Sequence, residues 1–105
     1  MSVTAIRRVT FEATNHGRRL TYALEASVTG PVDERTGCVI DFDLIAREAR
    51  SVLAEVIGGG RVTPPSAERL VVAIWGELAP RLAPATLTRL RLWETPDQSA
   101  EYDGR

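Results

Sequence analysis

Leu90-Arg91-Leu92-Trp93-Glu94-Thr95 alternates two leucines with an arginine and a tryptophan, then ends on a carboxylate and a hydroxyl. This period of two in β-favouring residue types predicts a strand, with Leu90 and Leu92 on one face and Arg91 and Trp93 on the other. Pro96-Asp97-Gln98-Ser99 breaks it. A glutamate placed where a strand runs into a loop is held by the sheet yet reachable, which suits a ligand anchor. A solvated strand-end carboxylate has the same local sequence, and this stretch alone favours that plainer reading.

Outward from it, a short last strand is expected around Ala100-Glu101-Tyr102. At the other end, Val3, Ala5, Val9 and Phe11 alternate with Thr4, Arg8, Thr10 and Glu12, a first strand irregular only at Ile6 and Arg7. Thr14-Asn15-His16-Gly17 is turn chemistry, with Asn and Gly able to supply positive φ angles. The return strand places Leu20, Tyr22, Leu24, Ala26 and Val28 on one face and ends at Gly30-Pro31. A polar loop from Pro31 to Gly37 follows, and Cys38-Val39-Ile40 is expected to run extended.

Asp41 or Asp43 caps a first helix, whose stripe is Ile45, Ala49, Val52, Leu53 and Val56, with Gly58 at the expected C-terminal cap. Gly58-Gly59-Gly60 is a break without the spacing or the lysine of a phosphate loop. Ser66 is the expected N-cap of a second helix, with Glu68 in its first turn. Leu70, Val71, Ile74, Trp75, Leu78 and Leu82 form its apolar face, and Pro80 and Pro84 close it. The order ββααββ predicts an α+β fold: a four-stranded antiparallel sheet with two helices on one face, residues 1–105 forming one domain. Nothing in the chain covers the outer strands, so edge-to-edge assembly of copies is expected.

The totals narrow the function. The 105 residues suffice for one core but not for a deep private active site. A net charge of -1 gives no reason to expect nucleic acid or an anionic membrane as partner. No apolar run approaches a membrane span and Met1 to Thr10 has no signal-peptide pattern, so a cytoplasmic location is expected. The single cysteine, Cys38, rules out an internal disulfide and any multi-cysteine zinc site. All 13 basic residues are arginine, which removes lysine Schiff-base chemistry.

Several stretches together resemble the 6-pyruvoyl-tetrahydropterin synthase / 6-carboxy-tetrahydropterin synthase family. Thr36-Gly37-Cys38-Val39-Ile40-Asp41-Phe42 is similar to that family's T-G-M-V-I-D-F and is the most specific match. Phe11-Glu12-Ala13 resembles the opening of F-x-A-A-H, and Pro65-Ser66-Ala67-Glu68 resembles P-T-x-E-N. Trp93-Glu94-Thr95 with Ala100-Glu101-Tyr102 resembles the E-T…A-x-Y ending. The resemblance implies the tunnelling fold, in which subunits join their sheets edge to edge into a barrel with active sites between them. It therefore implies a homo-oligomer, a trimer, tetramer or hexamer. It also implies that Glu94 anchors the amino-pyrimidinone edge of a pterin-like ring.

The departures are as informative. The family's three zinc histidines fall, by the resemblance, on Asn15, Arg18 and Leu20, and His16 is the only histidine in the chain. Those residues cannot hold a catalytic zinc, which needs about three good protein ligands. The segment that carries the family's nucleophilic cysteine is replaced by the Asn15–Gly17 turn. Gly58-Gly59-Gly60 with a short run replaces the family's L-D-H. Cys38 stands at the methionine place of T-G-M-V-I-D-F and is expected to be packed rather than reactive.

The candidate site residues are therefore Glu94, His16 and Arg18 for chemistry, and Glu94, Thr95, Ser66 and Tyr22 for substrate binding, with no metal and no cofactor. Glu94 is the anchor and a candidate general acid or base. His16 reads first as a solvated turn residue, and as a neutral-pH proton carrier if the turn faces the pocket. Arg18, at a former metal place, would put a fixed positive charge there for a carboxylate or oxyanion. Tyr22 and Trp75 read first as core, and Trp93 as packed against a sheet neighbour. The leading functional reading is a small-molecule biosynthetic enzyme, lyase- or cyclase-like, using metal-independent acid/base chemistry on a pterin-like heterocycle or small polar intermediate. The alternatives are a non-catalytic pterin- or purine-binding module and an accessory subunit. Zinc-dependent tetrahydropterin synthesis is the least favoured.

Overall fold

A computed structural model describes residues 1–15 and 17–105, with side chains for all of these but Asn15 and Arg18. Strands β1 (Ser2–Asn15) and β2 (Arg18–Pro31) form a long hairpin. Helices α1 (Phe42–Leu53) and α2 (Ala67–Leu78) follow, then strands β3 (Thr86–Thr95) and β4 (Gln98–Tyr102). The sheet order is β1-β2-β3-β4, antiparallel throughout. This is the predicted ββααββ architecture.

The hairpin runs in unbroken register from Ser2 opposite Pro31 to Asn15 opposite Arg18, and Gly17 takes a φ of 77° at its tip. Its first strand has no interruption at Ile6 and Arg7. The period of two simply continues: Ile6 points to the face without helices and is 53% exposed, while Arg7 lies on the helix-bearing face and reaches Asp43 at 3.7 Å. A long arginine stem can line a core edge and still deliver its charge to a carboxylate at a helix start. β3 carries two irregularities, one against β4 between Trp93 and Thr95 and one against β2. Ser27 pairs with Arg89 and Val28 with Leu87, so Thr88 is an extra residue, its hydroxyl donating to the Ser27 carbonyl at 3.1 Å. The bulge lets both Leu87 and Leu90 enter the core.

Cys38-Val39-Ile40 does not run as a strand. Asp33 organises the loop instead, accepting the backbone N–H of Arg35 at 2.7 Å and of Thr36 at 3.2 Å. The Gly37 N–H donates to the Asp33 carbonyl, and Gly37 has a φ of 75°. This turn rotates the Cys38 side chain outward, so the thiol is exposed and not packed.

Asp41 is the cap of α1, its carboxylate accepting the Asp43 N–H at 2.9 Å, and Asp43 occupies the first turn. The C-terminal cap lies two residues later than expected. A π-helical turn, Ala54–Gly58, extends the helix, and the chain then closes with Arg61 N–H to Val56 O and Gly60 N–H to Ile57 O. Gly60, at φ 62°, fills the left-handed cap position in place of Gly58. Ser66 caps α2 as expected, accepting the Arg69 N–H at 3.2 Å. The two helices bury Ile45, Ala49, Val52, Leu70, Ile74 and Leu78 against Leu24, Val28, Leu90 and Leu92 of the sheet.

Behind this core, Arg81 ties the helices together. Its guanidinium meets Glu55 at 2.8 Å, the Ser51 hydroxyl at 3.2 Å, Glu77 at 3.9 Å and Glu48 at 4.0 Å. The opposite face of the sheet bears no helix and is polar.

Candidate functional site

Glu94 is the penultimate residue of β3, half-buried, at the irregularity between Trp93 and Thr95 in the pairing with β4. Ala23 and Trp93 are the last pair of the β2–β3 ladder, and Tyr22 and Glu94 are the residues next beyond it. Tyr22 is 3% exposed. Burial, and secondarily the charge of Glu94, push its phenol above the usual tyrosine range. The sheet thus holds a protonated phenol next to a carboxylate, a donor beside an acceptor.

Tyr22 also lines a cleft of about 350 Å³ between the end of the hairpin and the connection joining the two helices. Ala13 and Thr14 form the hairpin side. Ile57, Gly60, Thr63 and Pro65 contribute to the other. Of the predicted site residues with described side chains, Tyr22 alone is part of this lining. Glu94 adjoins the cleft through Tyr22. Thr95 ends β3 and its hydroxyl accepts the Asp97 N–H at 3.2 Å, making the turn into β4. The Ser66 hydroxyl is engaged as the α2 cap. His16 lies outside the described residues. Arg18 opens β2, its backbone in register with Asn15.

None of the cleft-wall residues from Val56 to Pro65 is among the candidate site residues, although the resemblance sets the family's L-D-H segment at this connection. Its signal was the glycine run followed by Pro64-Pro65, a connection long enough to stand off from the sheet, which the sequence presented only as a break.

Comparison with known proteins agrees with this architecture. The family model described as 6-pyruvoyl tetrahydropterin synthase matches residues 10–105. The chain belongs to that family. A 6-pyruvoyl tetrahydrobiopterin synthase of Drosophila melanogaster is 28% identical over 99 residues, which cover 85% of this chain and 59% of that protein. The chain thus spans little more than half the length of that relative. The structure of Caenorhabditis elegans 6-pyruvoyl tetrahydropterin synthase superposes with a TM-score of 0.79 at 18% identity, covering 100% of this chain and 97% of the other. At that identity the match speaks for the fold.

As a member of the 6-pyruvoyl tetrahydropterin synthase family, the chain is diverged and shortened, and its donors do not fit the zinc that the family resemblance implies. By the resemblance the three ligand places would fall on Asn15, Arg18 and Leu20, and the whole chain has one histidine and one cysteine. An amide, a guanidinium and an alkyl group do not make a zinc site. Among the described residues, no three His, Cys, Asp or Glu side chains converge. No step of the chemistry proposed below runs through a metal. No helix among the described residues is long and apolar enough to cross a membrane.

Proposed function

We propose that the protein is a small-molecule enzyme of biosynthetic type that binds a pterin-like heterocycle or a related small polar intermediate and performs lyase- or cyclase-like acid/base chemistry on it without a metal. What carries this reading is the Tyr22–Glu94 pair beside the cleft. An ionised carboxylate accepts two parallel N–H bonds, and the amino-pyrimidinone edge of a pterin offers two such donors in one plane. Glu94 anchors that edge. Tyr22 holds the adjoining wall and keeps a proton available next to the anchor. Thr14 and Thr63 supply polar contacts in an otherwise apolar cleft.

The site is completed between copies of the chain. Within one chain the outer edges of β1 and β4 have no neighbouring strand, and β1 offers such an edge over 14 residues. Edge-to-edge pairing would satisfy these backbone groups and bring a second subunit towards the pocket. Light scattering should therefore report a trimer, tetramer or hexamer, and a monomer at working concentrations would count against an interfacial site.

The deciding test is a calorimetric screen of pterins, guanine-like purines and small cyclic acids on the wild type and Glu94→Gln. Saturable binding lost in Glu94→Gln, followed by turnover of that ligand or a relative, is the expected result. Binding without turnover would make the protein a heterocycle-binding module, and binding indifferent to Glu94 would remove the anchor.

A further inference from the structure

The open face of the sheet carries a cross-strand charge ladder: Arg8 meets Glu25 at 4.0 Å, Glu25 meets Arg89 at 3.9 Å, and Arg89 meets Glu101 at 3.3 Å. Register sets Arg91 opposite Glu25 on β2 and opposite Glu101 on β4. Both carboxylates turn to Arg89 instead. Arg8, Arg89 and Arg91 thus face only Glu25 and Glu101, and the surplus positive charge rests on Arg91. Among the described residues it has no carboxylate within ion-pair reach.

Arg91 is nonetheless held in place. Its Nε donates to the Ser99 hydroxyl at 3.0 Å, and its guanidinium lies 4.2 Å from the centre of the Trp93 ring. Arg8 approaches the same ring at 5.5 Å. Trp93 brings a second, independent anomaly: its indole N–H is buried without an acceptor among the described residues. Buried N–H groups normally find a partner, and an orphaned one costs stability. A fixed guanidinium whose two outer nitrogens have no hydrogen-bond partner among the described residues and an indole donor without an acceptor there call for the same chemistry.

We infer that Arg91, Trp93 and Ser99 form a seat for an oxyanion, a carboxylate or phosphate group of a small molecule, on the sheet face opposite the cleft. The outer nitrogens of a guanidinium match two oxygens of such a group in one plane. The ring holds that plane in position, and the Ser99 hydroxyl can donate its own proton. A cation would be repelled here. The seat does not depend on the function proposed for the cleft.

The test is ¹H–¹⁵N NMR of the full chain, following the two indole cross-peaks, with Trp75→Phe to assign them. Sodium succinate and sodium phosphate are titrated at constant ionic strength against sodium chloride. The Trp93 indole signal should shift saturably while that of Trp75 stays still. Arg91→Gln should weaken binding by about tenfold or more, the scale of one lost charged hydrogen bond, and Ser99→Ala by less. Saturation with succinate alone identifies a carboxylate seat, and saturation with phosphate alone a phosphate seat. A response no different from chloride, or one that persists unchanged in Arg91→Gln, would overturn the inference.

Discussion

Tyr22 and Glu94 lie one residue beyond the Ala23–Trp93 pair that ends the β2–β3 ladder, and the carboxylate's charge adds to burial in opposing ionisation of the phenol. Replacing Glu94 by Gln removes the smaller of the two causes. Absorbance titration at alkaline pH should therefore show the Tyr22 phenol ionising earlier in Glu94→Gln than in the wild type, yet still above the ordinary value of 10.0. An unchanged titration would mean that the two groups do not sense each other.

The same shift has a stability consequence. The folded phenol keeps its proton after the unfolded one has lost it, so the folded state binds more protons above pH 10. Its contribution is full below the unfolded pKa of 10.0 and is lost as pH rises through the higher folded value. Melting temperatures from pH 8 to pH 11 should fall more steeply beyond pH 10 in the wild type than in Tyr22→Phe, each referred to its own value at pH 8.

Arg81 joins carboxylates from α1, the π-helical turn and α2, and its side chain is only 27% exposed. A lone surface pair would contribute little, whereas a part-buried cation shared among three acids contributes more. Arg81→Ala should cost about 1–2 kcal/mol in urea unfolding. The difference should narrow in 1 M salt, since screening weakens the exposed share of the network.

The C-terminal tail is held against α2 by contact rather than by the sheet. Trp75 packs edge-to-face on Tyr102 with ring centres 5.4 Å apart. Gly104, at φ 90°, brings its backbone so close that an added Cβ would lie 2.7 Å from the indole. Gly104→Ala should cost about 1–2 kcal/mol, combining a left-handed backbone with a clash against a rigid ring. A change within error would show that the tail readily moves aside.

Ser66 separates two roles by measurement. As the α2 cap it should cost about 1 kcal/mol when changed to Ala. Ser66→Gly keeps most of a cap's backbone function. If Ser66 also contacts the substrate, both variants should lose affinity while only Ser66→Ala loses much stability.

The element order, the inward stripes of both helices, the capping role of Ser66, the choice of Asp41 or Asp43 for the first cap and the faces of Leu90 and Leu92 were legible in the sequence. Each of these rests on local periodicity or on hydrogen bonds between residues two or three apart, which a linear reading contains. The single histidine and single cysteine, which argue against the family's zinc site, are also read directly from the sequence. The remaining features depend on contacts between residues far apart in the chain. Gly60 rather than Gly58 caps the first helix because a π-helical turn adds length that no spacing rule announces. Arg7 enters a core-facing position because Asp43 waits at the start of α1, 36 residues away in the sequence but 3.7 Å away in space. The cleft exists because Ala13, Thr14 and Tyr22 meet residues between Val56 and Pro65, remote along the chain, at the end of the hairpin. Such contacts depend on how the sheet twists and how the helices seat on it, and those are properties of the packed whole.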